Sequence, residues 1–79
     1  MPRYYFHLSG ERQKLRDEEG LMLPDSEAAW YQAVRSAREV IRADLHLGCR
    51  FEGGVIEIAD ERGAPLDHLP LTDIARYAM

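Results

Sequence analysis

A single cysteine, Cys49, is the only thiol in this 79-residue chain, so no disulfide can form within it. The small core must therefore hold without a covalent staple. No apolar run approaches the roughly 20 residues that a membrane-spanning helix requires. The opening MPRYYFHLSGERQK carries charge where a secretory signal would be apolar. These absences point to a cytoplasmic setting with no membrane contact. Basic residues are also scarce: 10 lysines and arginines face 14 acidic residues, for a formal net charge of −4. Proteins that coat nucleic-acid phosphates usually show the opposite excess, which leaves at most a local basic stripe for that purpose. A P-loop, a G-x-G-x-x-G turn and a G-x-S-x-G elbow are all missing. The chain reads as a non-enzyme, without internal repeats, linkers or low-complexity stretches.

What is present suits one folded domain spanning residues 1–79. The hydrophobic content of 46% is ordinary for a globule. A chain of this length removes only about 60% of its unfolded surface from water. Either tight packing of a long helix on a sheet or dimerisation must make up the shortfall.

Residues Arg3 to Ser9 alternate, with Tyr4, Phe6 and Leu8 on one side and Arg3, Tyr5, His7 and Ser9 on the other. That period of two predicts a strand. Ser9-Gly10-Glu11 is a turn signal, and Gln13 to Arg16 can return as the second arm of a hairpin. Asp17-Glu18-Glu19-Gly20 marks a second turn, whose acidic residues are expected to be solvated or to pair with a basic stripe on another copy. Leu21-Met22-Leu23 is a short apolar extension that can form a third strand.

Pro24-Asp25 announces a helix, with Asp25 placed to cap the first free amides and Glu27 at the positive end of the dipole. No glycine or proline interrupts Ser26 to Leu47, and Gly48 suits the position after the helix. Trp30, Ala33, Val34, Ala37, Val40, Ile41 and Leu45 share one broad stripe at about 100° per residue. Asp44 falls inside that stripe, which predicts that the last turn overhangs the sheet.

After Gly53-Gly54, the run from Val55 to Asp60 alternates with Ile56 and Ile58 inward, and Glu61-Arg62-Gly63 turns the chain. Leu66 to Leu71 is the expected partner strand, with Leu69 and Leu71 inward, and Pro70 places it at a sheet edge or marks the end of the strand. Thr72 or Asp73 can cap a final helical turn through Ile74 and Tyr77. The expectation is an α+β fold of order β-β-α-β-β, with one helix on one face of a small, mainly antiparallel sheet.

One helix covers one face. The open face should then carry Tyr5, His7, Val55, Glu57, Ala59 and His68, an amphipathic surface. Exposed strand edges add unpaired backbone groups that can join another chain. A homodimer formed through this face or an edge is the simplest inference. A His7–Glu57 pair can in principle support acid–base chemistry, but a sheet this small offers no deep pocket, and cross-strand polar pairing accounts for it.

Metal binding finds little support. His46-Leu47-Gly48-Cys49 has a two-residue spacer but supplies half a site at best. His7 and His68 sit on strands that need not approach the helix end, so no metal and no cofactor are expected. Cys49 follows a helix C-terminus, where the dipole disfavours a thiolate. On the helix's outer face Tyr31, Arg35, Arg38 and Arg42 lie within about 60° of one another. Such a stripe can grip phosphates or an acidic partner, though Glu39 beside it and Glu27 upstream neutralise part of the charge.

The stretches Met1-Pro2-Arg3-Tyr4-Tyr5-Phe6-His7-Leu8, Asp17-Glu18-Glu19-Gly20 and Leu23-Pro24-Asp25 form a recognisable combination with Ser36-Ala37-Arg38-Glu39, Ile56-Glu57-Ile58-Ala59-Asp60 and Leu69-Pro70-Leu71. Together they resemble a family of very small bacterial proteins known only as a domain of unknown function. The resemblance covers nearly the whole chain and implies a compact cytoplasmic domain with no assigned activity. The layout of a hairpin followed by an alanine-rich helix is also similar to the N-terminal domain of HicB-type antitoxins. That second likeness implies a small toxin partner, with DNA contact left to a separate segment. The expected function is a self-associating protein-interaction module, with nucleic-acid or antitoxin-like regulatory binding through the arginine stripe as the alternative.

Overall fold

The computed structural model describes residues 1–10, 14–46 and 53–78. Its elements are β1 (Arg3–Ser9), β2 (Lys14–Leu15), β3 (Leu21–Met22), α1 (Ser26–His46), β4 (Val55–Ala59), β5 (Pro65–Pro70) and α2 (Leu71–Ala78). The α+β architecture read from the sequence is the one observed, with two additions. Leu21–Met22 is a true strand, antiparallel to β1 with Arg3 opposite Met22. The final turn extends to an eight-residue helix.

The sheet runs β2-β1-β4-β5, with β3 beside β1 and every pairing antiparallel. β1 and β4 pair over five residues, from Tyr5 opposite Ala59 to Ser9 opposite Val55. β5 is an edge strand, as Pro70 requires. It begins at Pro65 and ends at Pro70, so Leu71 belongs to α2 and not to the strand. The Leu71 amide donates to the Gly54 carbonyl at 2.8 Å, which turns the chain from strand into helix.

Asp25 caps α1: its Oδ1 accepts the Ala28 N–H at 2.8 Å. The helix meets the sheet along Ala29, Ala33 and Ala37, all fully buried, and then Ile41. Methyl-sized side chains let the helix backbone approach closely over Ile56 and Ile58 of β4. Trp30 departs from expectation, with 36% of its surface exposed. The buried line follows an i, i+4 row, which drifts around the helix by about 40° per step. At the first turn the seam therefore lies under Ala29, and Trp30 stands about 100° away from it.

Both helices serve one core. Leu71, at the start of α2, is the largest fully enclosed side chain, and Ile74 packs against the same cluster as Tyr4, Phe6 and Leu69. Ala59 is a second correction: it is 1% exposed and not part of an open surface. The bulge in the pairing of β4 with β5 falls on β5, where Leu66 is the extra residue, while β4 keeps its register with β1. Ala59 stays opposite Tyr5, on the side away from the core cluster, and its methyl is covered there. Leu45, Asp44, His46, Gly48 and Cys49, to which the sequence assigned an overhang, a helix stop and a ligand pair, lie outside the described side chains.

Candidate functional site

The face of the sheet opposite the helices carries most of the residues that strand parity assigned to it. His7 of β1 stands opposite Glu57 of β4, and Glu57 stands opposite His68 of β5. The three therefore form one row across β1, β4 and the edge strand β5. Tyr5 lies two residues along from His7, with the rings 6.3 Å apart between centroids and nearly parallel at 14°. Tyr5, His7, Val55 and Glu57 are half-buried, and His68 is exposed.

Tyr5 and His7 form the floor of a groove of about 520 Å³. Two turns make its walls, and the two share a sequence pattern. Asp17-Glu18-Glu19-Gly20 and Asp60-Glu61-Arg62-Gly63 both read Asp-Glu-x-Gly, and both glycines take positive φ, 70° and 82°. In each turn the aspartate gathers backbone amides. Asp17 Oδ1 accepts the Glu19 and Gly20 N–H groups at 3.2 and 3.0 Å. Asp60 Oδ1 accepts those of Arg62 and Ala64, both at 2.9 Å. The side chain of an Asx turn thereby substitutes for backbone partners that a turn lacks.

Asp17 does more than close its own turn. Its Oδ2 accepts the Phe6 N–H at 3.2 Å, and its own N–H donates to His7 Nδ1 at 3.0 Å. Burial pulls the Asp17 carboxyl upward, but hydrogen bonds from the Gly20, Phe6 and Glu19 amides outweigh it. The net result holds this carboxyl below its ordinary value. Arg3 ties the two walls together: its guanidinium donates to the Glu19 carbonyl at 2.7 Å, and its amide donates to Glu61 Oε1 at 2.9 Å.

The sequence marks the first turn as solvated charge or a partner for a basic stripe on another copy, but not as the wall of a groove. The repeated Asp-Glu-x-Gly pattern was the available signal. Arg16 and Arg62 were likewise unmarked, and both line the groove. Among the described residues no group of three or more His, Cys, Asp or Glu side chains is arranged to hold a metal ion. No helix among them is long and apolar enough to cross a membrane.

The arginine stripe stands on the far side of the molecule. Arg35, Arg38 and Arg42 are exposed, as is Tyr31. Arg35 Nε lies 3.9 Å from Glu39 Oε1, with both side chains largely in solvent. An exposed i, i+4 pair of this kind contributes only a few tenths of a kcal/mol. It does, however, use part of the positive charge on that face.

A family model described as a domain of unknown function (DUF6894) matches residues 3–72. The chain belongs to this family. The DUF6894 match takes in β1 through the first residues of α2, and hence the whole groove and the open face. No curated protein and no solved structure matches the chain.

Proposed function

We propose that this domain is a small non-catalytic interaction module that self-associates through the open face of its sheet. The observation that carries the reading is the one-sided packing. α1 and α2 share a single core on one face, and the other face presents Tyr5, His7, Glu57 and His68 with no element over it among the described residues.

The sheet edges favour the face over strand addition. β5 begins and ends in proline, and neither residue has an amide to offer. Between them the His68 N–H donates to Asp67 Oδ1 at 2.9 Å, so a side chain of β5 itself occupies that donor. On the opposite edge the gap between β2 and β3 is filled by Asp17, which accepts the Phe6 amide. Blocked edges of this kind discourage pairing with another strand.

Size sets the strength. Three strands about 4.8 Å apart and roughly 20 Å long present a footprint of about 300 Å². Stable partners bury about 800 Å² each, so the association is weak and reversible, in the micromolar range or above. The proposed setting is the cytoplasm, where a lone thiol stays reduced. Sedimentation velocity across micromolar concentrations tests the reading. A concentration-dependent increase in mass that Tyr5→Glu removes is expected, whereas a strict monomer throughout would overturn it.

A further inference from the structure

We propose that the groove on the open face receives the arginine face of α1 from a second copy, so that copies join head to tail. The inference rests on self-association and names the surface that the open face meets.

Charge decides between the two ways a second copy can dock. The groove is lined by four carboxylates, Asp17, Glu18, Asp60 and Glu61, against two guanidinium groups, Arg16 and Arg62. These six side chains sum to a net −2. Two copies meeting by the same face would set this charge against itself, and like-charge juxtaposition is penalised at interfaces. The outer face of α1 carries Arg35, Arg38 and Arg42 against Glu27 and Glu39, a net +1 of the opposite sign.

The chemistry also matches in detail. Glu18 and Glu61 occupy the second position of the twin turns and are exposed at the two rims. Asp17 and Asp60 Oδ1 are already committed to amides, and Glu61 Oε1 to the Arg3 amide. That leaves the Glu18 carboxylate and the second oxygen of Glu61 as exposed acceptors for guanidinium groups. Tyr5 on the floor offers a ring face to a cation. A volume of about 520 Å³ lies within the range of ligand clefts, roughly 300–1,000 Å³, and admits more than one long side chain.

The two surfaces lie on opposite sides of the molecule, because α1 packs by its alanine seam and turns its arginines outward. One copy can use both at once. Such a contact has no two-fold axis and builds rings or chains unless it is capped.

Two folded variants, each checked by circular dichroism, test the geometry. Arg38→Glu with Arg42→Glu disables the helix face. Glu18→Lys with Glu61→Gln disables the groove while keeping an acceptor for the Arg3 amide. Light scattering should find each variant monomeric alone and an equimolar mixture forming a closed one-to-one heterodimer. The wild type should form larger species that dissociate in about 1 M salt, where the Debye length is about 3 Å. If the arginine-reversed variant associates as the wild type does, docking is face to face and the head-to-tail inference falls while self-association stands. A monomeric wild type overturns both.

Discussion

The Asp17 amide donates to Nδ1 of His7 over 3.0 Å, and the Asp17 carboxylate accepts the amide of Phe6, the residue just before it. One residue in a turn thus fixes both a ring on the groove floor and the outer edge of β1. Asp17→Ala removes acceptors for three amides and should destabilise the fold by about 1–3 kcal/mol, read as a lower urea midpoint. Asp17→Asn keeps Oδ1 but places an amide group against the Phe6 N–H when the turn is preserved, so it should fall between wild type and alanine.

The same carboxyl gives a pH signature. Its folded value is depressed, so its stabilising contribution is fully present above the unfolded carboxyl range, near pH 4. That contribution is lost as pH falls through the lower folded value. Urea midpoints measured from about pH 6 down to pH 2 should drop less steeply for Asp17→Asn than for wild type. Parallel curves would show that Asp17 is not the linked group.

The paired turns respond unequally to added bulk. At Gly20, φ is 70° and an added Cβ would meet Arg3 Cγ at 2.8 Å and the Tyr4 carbonyl at 3.0 Å. At Gly63, φ is 82° with nothing within 4 Å. Gly63→Ala should cost about 1 kcal/mol, the left-handed backbone penalty alone. Gly20→Ala should cost clearly more, because the Tyr4 carbonyl belongs to a paired strand and cannot withdraw. Chemical denaturation of the two variants side by side tests the order.

Much of this layout was legible from local pattern. Strand parity put Tyr5, His7, Glu57 and His68 on one face because alternation needs no knowledge of neighbours. The Asp25 cap was equally visible, since it acts on an amide three residues away. Trp30 was misplaced because a helical wheel gives azimuth but not the slant of the buried row. Ala59 keeps the parity of Tyr5, its partner on β1, but parity gives a side and not an exposure, and its small side chain is covered there. The reach of Asp17 back to Phe6 and His7 is a tertiary contact, and the sequence shows only a turn there.

The alanine seam yields a prediction by contrast. Ala33 has no exposed surface, while Trp30 keeps about a third of its own. Ala33→Leu must push α1 off β4 and should cost about 1–3 kcal/mol or more. Trp30→Ala, despite deleting a far larger group, should cost less than Ala33→Leu. Thermal midpoints in the reverse order would refute the packing described.

Strand β5 supplies a further test. Asp67→Ala frees the His68 N–H, and Pro65→Val restores a donor at the start of the strand. The double variant should aggregate faster than wild type on gentle heating, followed by thioflavin fluorescence. Equal rates would mean that the aspartate and proline do not protect the edge.

Phe6, near the start of the chain, stands opposite Ile58, about fifty positions later, and Leu71 completes the same interior. Synthesis therefore delivers the first strand long before the partner that makes it useful. Until β4 has followed, the alanine row of α1 lacks Ile56 and Ile58, the surface it closes over. The order of synthesis thus holds β1 and α1 without their common partner until that strand emerges.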